Sequence, residues 1–75
     1  MELANRIRKI RETLGLTQAE VAYKIDISPQ AYGKIERKAS KTKFETLLKL
    51  SVAFDVPVSF LVDINCENYF YIKTT

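Results

Sequence analysis

The chain has no histidine and no tryptophan, one cysteine, one methionine, and only two glycines and two prolines in 75 residues. A lone Cys66 cannot close an internal disulfide, and without histidine or a second cysteine the usual ligand sets of structural zinc cannot be assembled within one chain. Missing histidine also removes the commonest general base. No arrangement of serine, lysine and carboxylate residues matches a catalytic pattern either, so no enzyme, metal or other cofactor is expected. Cys66 reads as a partly buried small hydrophobe, because no basic neighbour in the sequence favours its thiolate. No apolar run approaches the roughly 20 residues needed to cross a bilayer. The opening MELANRIRKI mixes charged and apolar residues where a secretory signal would have an unbroken apolar stretch. A cytoplasmic chain with no membrane partner is the expectation.

What is present fits one small domain with a single modest core. The net charge of +3 conceals an asymmetry that matters more than its size. Residues 1–43 carry ten Lys or Arg against five acids, and residues 44–75 carry two against four. The positive charge thus gathers in the first part, as a nucleic-acid-binding face requires and as a merely solubilising surface would also give.

Hydrophobic spacing sets out the elements. Leu3, Ile7, Ile10 and Leu14 recur at intervals of four, three and four, predicting a first helix from about Glu2 to Leu14 with Arg6, Arg8, Lys9, Arg11 and Glu12 on its other faces. Gly15 suits the left-handed residue that ends it. Thr17 and Glu20 form a capping box for a second helix running to about Ile25, which buries Val21, Ala22 and Ile25. Asp26 tolerates the left-handed turn. Ser28 as N-cap and Pro29 at the first helical position then start a third helix, with Ala31, Tyr32 and Ile35 inward and Gln30, Gly33, Lys34 and Arg37 outward. Thr42 with Glu45 reads as another capping box, opening a fourth helix from about Lys43 to Phe54. Pro57 favours a short fifth near Val58 to Asp63. The result is an all-α bundle over residues 1–63. A tail, residues 64–75, follows, where Tyr69, Phe70, Tyr71 and Ile72 favour a strand.

From Leu3 to Val62 the chain resembles the Cro and phage-repressor type of helix-turn-helix domain, the Xre family. The elements that carry the resemblance are IRKIRETLGLTQ, AEVAYKIDIS, AYGKIERK and FETLLKLSVAFDVPVSFL, in the family's order and near its usual spacing. The resemblance implies a compact five-helix lambda-repressor-like fold whose third helix lies in the major groove of double-stranded DNA. It assigns base contact to Gln30 and Lys34, with Ala31 or Gly33 approaching the backbone or a thymine methyl; glutamine suits adenine and lysine suits guanine. Gln18 matches the family's phosphate-binding glutamine that braces the recognition helix. Backbone N–H groups near Thr17, Gln18, Lys43 and Phe44 are further phosphate candidates, and Arg37, Lys38, Lys41 and Lys43 would supply neutralising charge. Arg11 and Glu36 stand where the family has a structural ion pair. Tyr32 reads as a core residue with its hydroxyl near the surface. The sequence departs from the family pattern at Pro29, where some relatives have a base-reading side chain, and at Asp26 and Lys38, where glycines are frequent.

The fourth and fifth helices are richer in apolar residues than one small core requires. Phe44, Leu47, Leu50, Phe54 and Leu61 suit that core, whereas Val52, Val58, Phe60 and Val62 are assigned to a homodimer interface that also involves the tail. The functional expectation is a sequence-specific transcriptional regulator, a repressor or an autoregulating controller like those of restriction-modification systems, binding a two-fold symmetric operator as a dimer. The alternative is a protein-interaction module, such as an antitoxin or regulator subunit, that acts through the fifth helix and the tail.

Overall fold

The computed structural model describes residues 3–39 and 42–62. Residues 1, 2, 40, 41 and 63–75, among them Glu2, Lys41, Asp63 and Cys66, lie outside the described residues. Five helices follow in order: α1 (Leu3–Thr13), α2 (Gln18–Lys24), α3 (Pro29–Arg37), α4 (Phe44–Phe54) and α5 (Val58–Val62). The fold is all-helical among the described residues, and no helix there is long and apolar enough to cross a membrane.

Local chemistry sets most of the boundaries. Gly15 takes φ +73° just after α1, and the Leu16 amide reaches back to the Arg11 carbonyl at 3.1 Å. Thr17 caps α2 through a complete capping box: its hydroxyl accepts from the Glu20 amide at 3.0 Å, and its own amide donates to the Glu20 carboxylate at 2.8 Å. Asp26 takes φ 60° in the tight turn. Ser28 caps α3 by accepting from the Ala31 amide at 3.0 Å, with Pro29 in the first turn, where a missing N–H costs nothing.

The start of α4 differs from expectation. Its N-cap is Lys43, one residue later than the Thr42 and Glu45 pairing required, and no side chain caps it. At its other end Asp55 is a left-handed C-cap at φ 56°, which the sequence reading did not anticipate.

The core gathers Ile7 and Ile10 from α1, Val21 and Ala22 from α2, Tyr32 and Ile35 from α3, Leu47, Leu50 and Phe54 from α4, and Phe60 and Leu61 from α5. Fully burying each large side chain contributes roughly 1.5–3 kcal/mol. α3 packs on both α1 and α2, while α5 closes the other side against α1 and α4. α3 is therefore held by two neighbours and still keeps one long face outside.

Several expected faces are corrected. Leu14 lies beyond the end of α1 and is 40% exposed. Phe44, expected in the core, is 62% exposed at the first position of α4. Ala31 points outward. Arg6 is buried, with its guanidinium carbon 5.4 Å from the centroid of the Phe60 ring and Nη2 without a hydrogen-bond partner among the described residues. Phe60 is itself only 3% exposed, so this side chain belongs to the core and is unavailable to a second subunit. A helix of barely more than one turn wedged between α1 and α4 buries two consecutive residues, Phe60 and Leu61, which a single-stripe reading cannot foresee.

Candidate nucleic-acid interface

Behind α3 lies a polar network that fixes its position. Arg11 of α1 donates from Nε to Glu36 Oε2 at 2.6 Å and from Nη2 to Oε1 at 3.1 Å, a two-pronged guanidinium–carboxylate contact. Arg11 Nη1 also donates to the Leu16 carbonyl at 2.9 Å, tying the loop before α2 into the same cluster. Gln18, at the first position of α2, donates from Nε2 to Glu36 Oε1 at 3.0 Å. The Tyr32 hydroxyl donates to Glu36 Oε2. One buried carboxylate thus receives hydrogen bonds from three helices. Tyr32 is wholly buried, so its hydroxyl is spent inside this network and does not sit near the surface as expected.

The titration behaviour follows from that geometry. Burial alone pushes the Glu36 carboxyl up, but the hydrogen bonds from Arg11, Tyr32 and Gln18 together with the Arg11 charge outweigh it and hold the group below the ordinary glutamate range. The Glu36 hydrogen bond raises Arg11 further. Burial first, then the bond to Glu36, pushes the Tyr32 phenol far up. A depressed carboxylate stabilises the fold above its ordinary titration point, near pH 4.3, and that stability is lost as pH falls through the depressed value. Glu20, lowered by the Thr17 amide, acts over the same window. Thermal unfolding followed from pH 7 to pH 3 should therefore show a steeper acid loss for the native chain than for Glu36→Gln. Equal slopes would mean that Glu36 is not held ionised.

On the outer side of α3, Gln30, Ala31, Lys34 and Arg37 are exposed, as is Lys38 just beyond it. Gly33, expected beside them, is covered: a Cβ placed there would lie 3.4 Å from Arg37 Nη1, so the arginine side chain folds back over the glycine. This corrects Gly33 as an open approach point. Because the neighbour is the mobile tip of a long side chain, Gly33→Ala should raise stability by up to about 1 kcal/mol through helix propensity. Chemical denaturation measures this directly, and a loss would mean that Arg37 cannot move.

The phosphate candidates are placed unevenly. Thr17 is corrected, since its amide is already donated to Glu20. Gln18 is surface-exposed while its amide nitrogen holds Glu36. Lys43 and Phe44 stand exposed at the start of α4, which no side chain caps, although the Thr46 amide already donates to the Lys43 carbonyl at 3.0 Å. Lys41 lies outside the described residues. Between α3 and the beginning of α4 is a shallow basin of about 270 Å³ lined by Ile27, Ala31, Lys34, Ile35, Lys38, Thr42, Lys43 and Thr46. Lys38, Lys43 and Lys34 are brought together around it, a convergence that sequence spacing alone does not reveal. Among the described residues no group of three or more Cys, Asp or Glu could hold a metal ion.

Two short helices crossing through a tight turn, with the second braced from behind and open in front, define a helix-turn-helix protein. A helix-turn-helix family model matches residues 7–61, and the chain belongs to that family. It is similar to the HTH-type transcriptional regulator ImmR of Bacillus subtilis (strain 168), with 34% identity over 62 residues. That match covers 83% of this chain and 49% of the relative, so the chain spans about half the length of the curated relative it matches. No solved structure matches.

Proposed function

We propose that this chain is a sequence-specific DNA-binding transcriptional regulator, a repressor or autoregulating controller, that lays α3 in the major groove and binds a two-fold symmetric operator as a homodimer. The observation that carries the reading is the Arg11–Glu36–Gln18–Tyr32 network. It fixes α3 from behind while Gln30 and Lys34 remain exposed and cationic side chains gather at its C-terminal end. Base-edge readers on a rigid element with phosphate-neutralising groups beside them meet the requirements of direct readout. Gln30 and Lys34 read bases. Gln18, the start of α4 at Lys43 and Phe44, and the side chains of Arg37, Lys38 and Lys41 take phosphates. Similarity to a transcriptional regulator supports the class.

Fluorescence anisotropy against duplex from the gene's own upstream region and against scrambled duplex, each at several salt concentrations, tests this. A preference of at least roughly a thousandfold with a steep salt slope is expected of an autoregulating binder. Weak, sequence-independent binding to every duplex recovered by selection from random DNA would overturn it. Within such a system Lys34→Ala should lower affinity for the preferred sequence by about 10-fold to 100-fold and relax the preference at one position. Lys38→Ala should weaken all sequences alike and reduce the salt slope by about one. Equal uniform losses from both would undo the assignment of Lys34.

A second reading rests on a groove beside α4. Leu48 and Val52 are 42% and 80% exposed beside Lys24, Ile25, Asp26, Lys49 and Ala53, forming an apolar groove between the α2–α3 turn and α4. A protein partner seated there would bind with little salt dependence, unlike DNA.

A further inference from the structure

The exposed apolar side chains of α4 fall on one line. Phe44, Leu48 and Val52 recur every four residues along the helix and are 62%, 42% and 80% exposed. A phenylalanine left mostly in water at the start of a helix, with two aliphatic side chains in register behind it, is a surface that the folding of one chain leaves uncovered. Beside that line, one residue further on, stand Glu45 and Lys49, both exposed and neither ion-paired among the described residues. On the same flank Leu48, Val52 and Ala53 meet Ile25, from the end of α2, in a groove of about 420 Å³. α4 thus has an aromatic knob at one end, an apolar groove at the other, and an acid and a base in order between them.

That arrangement is complementary to its own reverse. Turned about a two-fold axis at Leu48, a second α4 runs antiparallel to the first: Leu48 meets Leu48, and Phe44 of each copy comes over Val52 of the other, at the groove. The two-fold keeps the charged flank on its own side while reversing its direction, so Glu45 of each copy lies against Lys49 of the other. Parallel helices would set Glu45 against Glu45 and Lys49 against Lys49, and an unrelated partner would have no use for this symmetry. We propose that this face of α4 is covered by α4 of a second copy of the chain, with two Glu45–Lys49 pairs fixing the antiparallel register and Phe44 seated in the groove beside Val52. The inference rests on the reading that two copies associate, and it centres their contact on Leu48, with Phe44, Glu45 and Lys49 as the residues that select the partner.

Sedimentation of the full 75-residue chain, native and substituted, tests this. Glu45→Lys sets lysine against lysine twice and Lys49→Glu sets glutamate against glutamate twice, so each alone should weaken self-association at low salt by at least about tenfold. An equimolar mixture of the two variants restores both pairs in a mixed dimer and should recover the native association. Phe44→Ala, which empties the groove without altering charge, should also weaken association by about tenfold or more. If circular dichroism finds either charge variant unfolded, Phe44→Ala must show the loss by itself. Folded variants that dimerise as the native chain does, or a mixture no tighter than either variant alone, overturn the α4 interface while a dimer through another surface stands. A native chain that sediments as a monomer even at millimolar concentration removes the homodimer reading, and the α4 interface falls with it.

Discussion

Arg11→Met should destabilise the folded chain by about 3 kcal/mol or more, lowering the midpoint of thermal unfolding by roughly 12 °C or more in a domain of this size. The size of the effect comes from what remains behind. The Glu36 side chain is 3% exposed and the Arg11 side chain 13%, so removing the arginine leaves a carboxylate in the interior with only the neutral donors Tyr32 and Gln18. Breaking one partner of a buried pair is far costlier than never having had the pair. Methionine fills much of the volume without the charge, so packing loss contributes little to the difference.

Two controls separate this cause from a general weakening. In the variant only Tyr32 and Gln18 oppose the effect of burial on Glu36, so its carboxyl titrates higher than in the native chain and acidification protonates it sooner. The stability gap between native chain and Arg11→Met should therefore narrow as pH falls toward 4. Replacing both partners, as in the pair Arg11→Met with Glu36→Leu, should recover much of the loss, since two apolar groups leave no orphaned charge. A gap that is constant with pH, or a double variant weaker than the sum of its parts, would mean that Arg11 acts by packing alone. The same network positions α3, so Arg11→Met should also lower DNA affinity under conditions where the domain remains folded.

Much of the fold was legible in the chain because its signals are local. Gly15, the Thr17–Glu20 box, Asp26 and the Ser28–Pro29 start each act within a turn or two, and each takes its place through contacts made by neighbouring residues. Arg11 and Glu36 lie 25 residues apart, and only resemblance to a family suggested pairing them. Where the outcome depended on how short helices meet in space, sequence spacing failed. Arg6 sat on a nominally polar face of α1 yet is covered where α5 packs, its charge placed over the Phe60 ring. Phe44 obeyed the helical period but lies at the very first position of α4, outside the packed zone. Thr42 and Glu45 had the spacing of a cap, but the backbone enters the helix one residue later, and a capping box exists only if the cap residue stands at the boundary. The basin escaped notice for the same reason, because Ile27, Lys38 and Thr46 converge only when α3 and α4 are set beside each other.

Val52→Glu and Val62→Glu are the variants expected to change function most while changing stability least. Phe60 was the obvious target from sequence, but a glutamate there would enter the core beneath Arg6 and report on folding rather than association. Val52 and Val62, 80% and 51% exposed, can each carry a charge in the monomer with a stability change within about 0.5 kcal/mol. If α4 and α5 form the two-fold interface, a glutamate on each partner would bring like charges together across the axis and expel the dimer, whereas Val58 of α5 is partly spent on the core. Sedimentation should then give monomer mass, with an unfolding midpoint that no longer depends on protein concentration. Operator affinity should fall by about 100-fold or more, because two recognition helices held about 34 Å apart bind as one ligand, and separated they lose that effective concentration. The salt slope should roughly halve with the number of phosphates engaged per complex. Both variants remaining dimeric would move the interface elsewhere. A monomer that kept full operator affinity would mean that a single α3 supplies the specificity, and the two-fold operator would have to be abandoned.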